Sequence, residues 1–209
     1  MQRRFLIFAA NLTLLAAMAP ALRAEPVAPD AFVRQVSTDV IDAVKADKAI
    51  QAGDVTRIRT LVDAKVMPYV NFQRMTASSV GPQWRSATPD QQKRMLVEFQ
   101  TLMVNTYSGA LSQVKEQAVV VKPLRAGAAD SGELVVRTEV RGKGDPIQLD
   151  YRLEKAGDGW KIYDVNVGGF WVVEAYRGQF AKDLSAGGMD SLITRLTEKN
   201  KSLAAAPKN

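Results

Sequence analysis

The segment "PIQLDYRLEKAGDGWKIYDVNVGGFWVVEAYRGQF", residues 146 to 180, changes its hydrophobic period part-way along. Ile147, Leu149, Tyr151 and Leu153 alternate with Gln148, Asp150, Arg152 and Glu154, so a strand here has one apolar and one polar face. "AGDG" at 156 to 159 is a turn, and "GWKIYDVNV" at 159 to 167 reads as the returning strand. Beyond Gly168-Gly169 and the large pair Phe170-Trp171, the spacing becomes helical from about Val172 through Leu184. A hairpin that runs directly into a helix points to a mixed fold, with a corner at Phe170-Trp171.

Working outward, "AVVVKPL" at 118 to 124 and "GELVVRTEVRG" at 132 to 142 supply two more short β-branched runs, the second followed by the turn "GKGD". The expectation is an α+β fold with a curved antiparallel sheet of about four strands. Helices precede it. Pro29-Asp30 opens a segment with Phe32, Val33, Val36, Val40, Ile41 and Val44 at helical spacing. Asp54 caps a second, which Pro68 ends, and Asn71 caps a short third. "TPDQ" at 88 to 91 combines a threonine cap, proline at the first helical position and glutamine three residues on, a capping box. The helix it starts carries Met95, Phe99, Met103 and Tyr107 on a stripe wide enough to cover the sheet. Downstream, Gly187-Gly188 breaks the last helix, which resumes at Asp190, and residues 204–209 are expected to be a disordered tail. The chain has no internal repeat and no long linker.

The N-terminus sets the compartment. Arg3-Arg4, a mostly apolar run from Phe5 to Ala19 and the small residues of "APALRA" have the build of a secretory signal cleaved after residue 24. The remainder, residues 25–203 with the tail, is enough for one domain. Losing Arg3, Arg4 and Arg23 lowers the formal charge from +6 to +3, too little to suggest a nucleic-acid partner. The chain has neither cysteine nor histidine. Ser-His-Asp and Cys-His catalysis are therefore excluded, disulfides are impossible, and a zinc site has no good ligands. These absences favour a protein that works by shape.

Five stretches then carry a resemblance: "NFQRM" at 71 to 75, "VGPQWRSATPDQQKRMLVEFQTLMVNTY" at 80 to 107, "PIQLDYRLEKAGDGWKIYDVNV" at 146 to 167, "YRGQF" at 176 to 180 and "GGMDSLITRL" at 187 to 196. Together, in this order and spacing, they resemble the MlaC family of periplasmic lipid carriers, also described as toluene-tolerance auxiliary proteins. The resemblance implies an NTF2-like fold whose sheet and helices enclose an apolar cavity for glycerophospholipid tails. It also implies a soluble shuttle, with an inner-membrane ABC transporter complex and an outer-membrane lipoprotein/porin complex as partners, maintaining outer-membrane lipid asymmetry. No cofactor, metal or enzymatic step is implied, and docking alternately to two complexes is simplest for a monomer. Two positions depart from the family pattern. Gly168, Gly169, Phe170, Trp171 replace an acidic residue, glycine, an aliphatic and serine, and Asn71 stands where the family often has aspartate.

On this reading the tails would meet Met95, Phe99, Met103 and Tyr107 from the long helix, and Leu149, Tyr151, Val165 and Val167 from the hairpin. Phe170, Trp171 and Val173 would complete the wall at the corner. Arg74, Arg85 and Arg177 are the candidates for headgroup or partner contact. Each buried acyl methylene is worth about 0.8 kcal/mol, so a carrier wall must be apolar and low in hydrogen-bond demand. Taken alone, most of the same side chains read more readily as ordinary core than as a cavity wall, and a solid structural adaptor is a third reading. An NTF2-like isomerase or hydratase is the enzymatic alternative, with Asp150, Tyr151, Tyr163 and Asp164 as its acids and phenols; Asp164 is the one expected near a cavity, and Asp150 is expected to face water.

Overall fold

A computed structural model describes residues 27–125 and 127–205. The signal sequence predicted at 1–24 and the last four residues of the predicted tail lie outside them. Helix α1 (Pro29–Ala46) is followed by the single turn α2 (Lys48–Gln51) and by α3 (Val55–Lys65), capped by Asp54 through Thr56 and Arg57 N–H. Pro68 ends it within a 3₁₀ turn, Met67–Tyr69. Asn71 Oδ1 accepts from Arg74 N–H at 3.0 Å to cap α4 (Phe72–Val80). The capping box at Thr88 forms as the sequence predicts, opening α5 (Pro89–Ser112), a helix about 36 Å long.

Six strands follow: β1 (Ala118–Val121), β2 (Glu133–Val136), β3 (Thr138–Arg141), β4 (Ile147–Ala156), β5 (Gly159–Val167) and β6 (Phe170–Trp171). All pairs are antiparallel, in the order β1-β3-β4-β5-β6, with β2 beside β3 along the same edge of β4. The sequence predicts one strand over 132 to 142, but it is interrupted at Arg137. There the Asp150 carboxylate takes the Thr138 N–H at 3.0 Å, while Thr138 Oγ1 donates to the Leu149 carbonyl. Asp150 is consequently buried and not, as expected, in water. In β5 the register with β4 shifts by one between Arg152 and Leu153, a bulge that keeps Ile162 and Val165 on one face on either side of it.

Helix α6 (Val172–Ala205) takes the chain back along the molecule. It is broken at Gly187-Gly188, where Gly188 has φ 67° and ψ −157°, a backbone conformation reserved to glycine. Ala204 and Ala205 are helical and so belong to the fold, not to the tail.

Helix α5 does not lie across the sheet as its stripe suggests. Its partners are α6, α3 and α4, whereas α1 rests on β1 and β2 and the start of α6 on β5. The apolar interior is divided accordingly. One cluster belongs to α4, α5 and α6, with Phe99 ringed by Phe72, Tyr176 and Phe180 at 5.6, 4.9 and 5.3 Å between centroids. A second joins Val33 of α1 to Val136, Leu153, Trp160 and Ile162 of the sheet. A third gathers Val44, Ile50, Ile58, Leu61 and Val104. Most domains of this size have one contiguous core. Here the interior divides into three clusters, the first two adjoining through Val70 and Val165.

Candidate functional site

Cross-strand partners share a face of the sheet, so the register defines which side chains lie together on the helix-covered face. Leu149 pairs with Val167, Tyr151 with Val165, Leu153 with Ile162 and Val167 with Phe170. All lie on the inner face, which α1 meets at Tyr151, whose hydroxyl is 3.3 Å from Ser37 Oγ on that helix. Burial along this face is graded. On β4, Leu153 is wholly buried, Tyr151 and Leu149 half-buried and Ile147 55% exposed. Across β5 and β6, Ile162 is buried, Val165 and Val167 half-buried and Phe170 76% exposed. The apolar surface therefore starts in solid core and ends in solvent. The open end is formed by the β3–β4 hairpin and the turn at Gly168-Gly169, whose φ values of 60° and 97° make the reversal that carries Phe170 outward.

Of the residues predicted to line a cavity, Leu149, Tyr151, Val165, Val167 and Phe170 come together on this face. Val165 packs against both the helical and the sheet clusters, and Leu149 and Val167 belong to none of the three. From α5, Met103 and Tyr107 are half-buried, and burial raises the Tyr107 phenol above its usual range. Burial also raises the Tyr151 phenol, which stays neutral and satisfied by Ser37. Met95, Phe99 and Val173 sit elsewhere, inside the helical cluster, as close-packed core. Ser37 was not anticipated. Its signal is a hydroxyl on the stripe of Val33, Val36, Val40 and Val44.

Trp171 pairs with Asn166 and lies on the opposite face, away from the inner wall. The Arg152 guanidinium stacks on its ring at 3.9 Å, donates to Asp164 Oδ2 at 2.8 Å and to Glu174 Oε1 at 3.0 Å. Asp164 Oδ1 accepts from Val165 and Val173 N–H, so one buried carboxylate ties β4, β5 and α6 together. Burial pushes the Asp164 carboxyl upward in spite of these donors. It faces away from Tyr151, so the acid and phenol of an isomerase do not converge, and the expectation that Asp164 borders the cavity is corrected. Tyr163, the bulged residue, stacks under Arg74 at 3.7 Å and donates to Glu133.

The three arginines have different surroundings. Arg74 pairs with Glu154 and Glu133. Arg177 donates twice to the Ser78 carbonyl, at 2.9 and 2.7 Å. Arg85 is exposed at the end of a 3₁₀ turn. Among the described residues no group of acidic side chains is arranged to hold a metal ion.

The model of the MlaC protein family matches residues 34–198. The chain belongs to the MlaC family. A solved structure, a phospholipid-binding protein from Ralstonia solanacearum in complex with a phospholipid, superposes with a TM-score of 0.81 at 41% identity, covering 84% of this chain and 98% of that one. The toluene tolerance protein ttg2D of Pseudomonas putida is 27% identical over 181 residues, 86% of this chain and 83% of that protein. The intermembrane phospholipid transport system binding protein MlaC of Haemophilus influenzae is 23% identical over 174 residues, 81% of each. The mixed fold with an open antiparallel sheet is thus the MlaC fold, consistent with the NTF2-like class.

Proposed function

We propose that this protein is a periplasmic phospholipid carrier that holds acyl tails against the inner face of its sheet and shuttles lipid between outer-membrane and inner-membrane complexes. The observation that carries the reading is the burial gradient from Leu153 and Ile162 to Ile147 and Phe170 along an unbroken apolar face. A folded protein seldom leaves such a surface half-covered unless something else covers it. Tails laid between this face and Met103 and Tyr107 of α5 would join the three clusters into one core. The headgroup would remain at the open end, beside Ile147 and Phe170.

Family membership and the phospholipid held by the Ralstonia neighbour support the ligand class. The name of the Haemophilus relative supports transport between membranes, and with it the two membrane complexes as donor and acceptor. Transfer needs no covalent step. A docked partner that offers the lipid a more favourable environment draws it out, and the difference in affinity sets the direction. The chain acts as a monomer exported with a cleaved leader. Recovery of the processed protein from the periplasm and gentle native mass spectrometry test the proposal. A mass increment that fragments to a glycerophospholipid is expected; lipid-free protein that also takes up no labelled phospholipid from vesicles would refute it.

A further inference from the structure

A second concave region lies on the helical side, sharing no residue with the inner sheet face. It is a groove of about 1370 Å³, floored by α5 from Glu98 to Ser112 and walled by the start of α3 and the end of α6. Arg59, Lys115 and Lys201 line it, against Glu98 as the single lining carboxylate among the described residues. That carboxylate is already engaged, because Glu98 Oε2 accepts from Asn200 Nδ2 at 2.7 Å.

Asn200 makes the groove more than a charged surface. It is 6% exposed, and its Nδ2 donates to both the Glu98 carbonyl and the Glu98 carboxylate, which fixes the orientation of the amide. Its Oδ1 is buried on the groove wall with no hydrogen-bond partner, the one such side-chain atom among the described residues. A buried acceptor left unpaired is unfavourable and calls for a donor.

We infer that this groove binds an extended, acidic segment of a partner polypeptide. The cations ask for carboxylates and Asn200 Oδ1 asks for an N–H. A polypeptide backbone brings an N–H at every residue, with Asp or Glu side chains beside it. An inorganic phosphate brings the charge without an amide donor, and a flat bilayer surface does not reach a groove floor. The Thr101 hydroxyl, which accepts from Arg59 at 3.2 Å, can still donate, and the Ser108 hydroxyl, which donates to the Asn105 carbonyl at 3.2 Å, can still accept, as a peptide backbone requires. The volume exceeds the roughly 300–1,000 Å³ of small-molecule pockets. The floor is about 21 Å long at 1.5 Å per helical residue, the span of about six extended residues. The inference does not rest on the lipid reading.

The test uses the processed full chain, ¹⁵N-labelled, and a fluorescein-labelled peptide of four Ala-Glu repeats, with four Ala-Gln repeats as control. Saturable binding is expected, with shifts at the Asn200 side-chain amide and at the Thr101 and Ser108 backbone amides. The double variant Arg59→Ala/Lys201→Ala should weaken binding at least tenfold with an unchanged thermal melt. If that variant does not fold, Lys115→Gln and Lys201→Gln singly should each weaken it about threefold. Equal binding of the Ala-Gln peptide, shifts confined to other surfaces, or no saturation at millimolar peptide would overturn the inference. So would flotation with phosphatidylglycerol vesicles that needs these cations while the peptide does not bind, since that would assign the groove to a membrane.

Discussion

Val167→Phe tests whether the inner face leaves space for a ligand. Val167 is half-buried, pairs with Leu149 on one side and Phe170 on the other, and touches none of the three packed clusters. Replacing isopropyl by benzyl adds a volume of about two methylenes. At about 0.8 kcal/mol each, the displaced tail surface is worth about 1.6 kcal/mol, or roughly fifteenfold in lipid retention. Stability of the delipidated protein should hardly change, because phenylalanine suits a strand and no close-packed neighbour is pushed aside. In a filled core the same enlargement costs about 1–3 kcal/mol. Urea unfolding of delipidated protein and the rate of loss of a labelled phospholipid to acceptor vesicles give the two readouts. A loss of stability within the overpacking range, with lipid retention untouched, would show that side chains already fill this space.

Phe99→Ala should behave in the opposite way, lowering stability by about 3–5 kcal/mol, since its fully buried ring is held by three aromatic neighbours; an unchanged urea midpoint would contradict the packing. Arg152→Ala leaves Asp164 buried with only backbone donors, and should cost about 2 kcal/mol by chemical denaturation, below the value for a fully buried pair because Arg152 is 28% exposed. Arg74 hydrogen bonds hold the Glu133 carboxyl below its usual pKa. That stabilisation is complete above the unfolded glutamate value and disappears as pH falls through the lower folded one. The stability lead of the native chain over Arg74→Ala should accordingly shrink on acidification, and a lead that grows would reverse the assignment. Gly188→Ala places a Cβ at φ 67° and ψ −157° and should cost about 1–3 kcal/mol, read as a lower thermal midpoint; no change would mean the break in α6 relaxes freely.

What could be read from the sequence was local. The cap at Thr88, the Asn71 and Asp54 caps, the β4–β5 hairpin and the glycine break in α6 depend on residues a few positions apart, and each formed where its pattern lies. What α5 covers was not readable, because an amphipathic stripe shows that a helix has an apolar partner without naming it. Alternation placed Asp150 opposite the apolar face and in water, while Asp164 was expected near the cavity; the sequence could not show that both carboxylates would be buried on the far face, one by the Thr138 N–H and the other by Arg152 and the start of α6. Phe170 and Trp171, adjacent and equally apolar, part company for the same reason. Strand geometry puts one at the exposed end of the inner face and the other under Arg152 on the far side.

An open apolar face would be expected to collapse unless something holds its walls apart. Helix α5 cannot drop onto the sheet without leaving Tyr176 and Phe180 of α6, whose rings pack on Phe99. Helix α1 is seated at the other end by Val33 against Leu153 and Trp160, and the indole N–H of Trp160 donates to the Val27 carbonyl at 3.0 Å. The wall itself is braced from behind, where Asp164 joins Arg152, Val165 and Val173 immediately beneath Val165 and Val167. Each brace would have to break before these elements could close over the half-covered face, and each involves groups that solvent cannot replace cheaply because they are buried. These contacts fix α1, α5 and the wall in place, so on the proposed carrier reading a ligand laid on the half-covered face would supply only its own apolar surface and would not have to reorganise the fold.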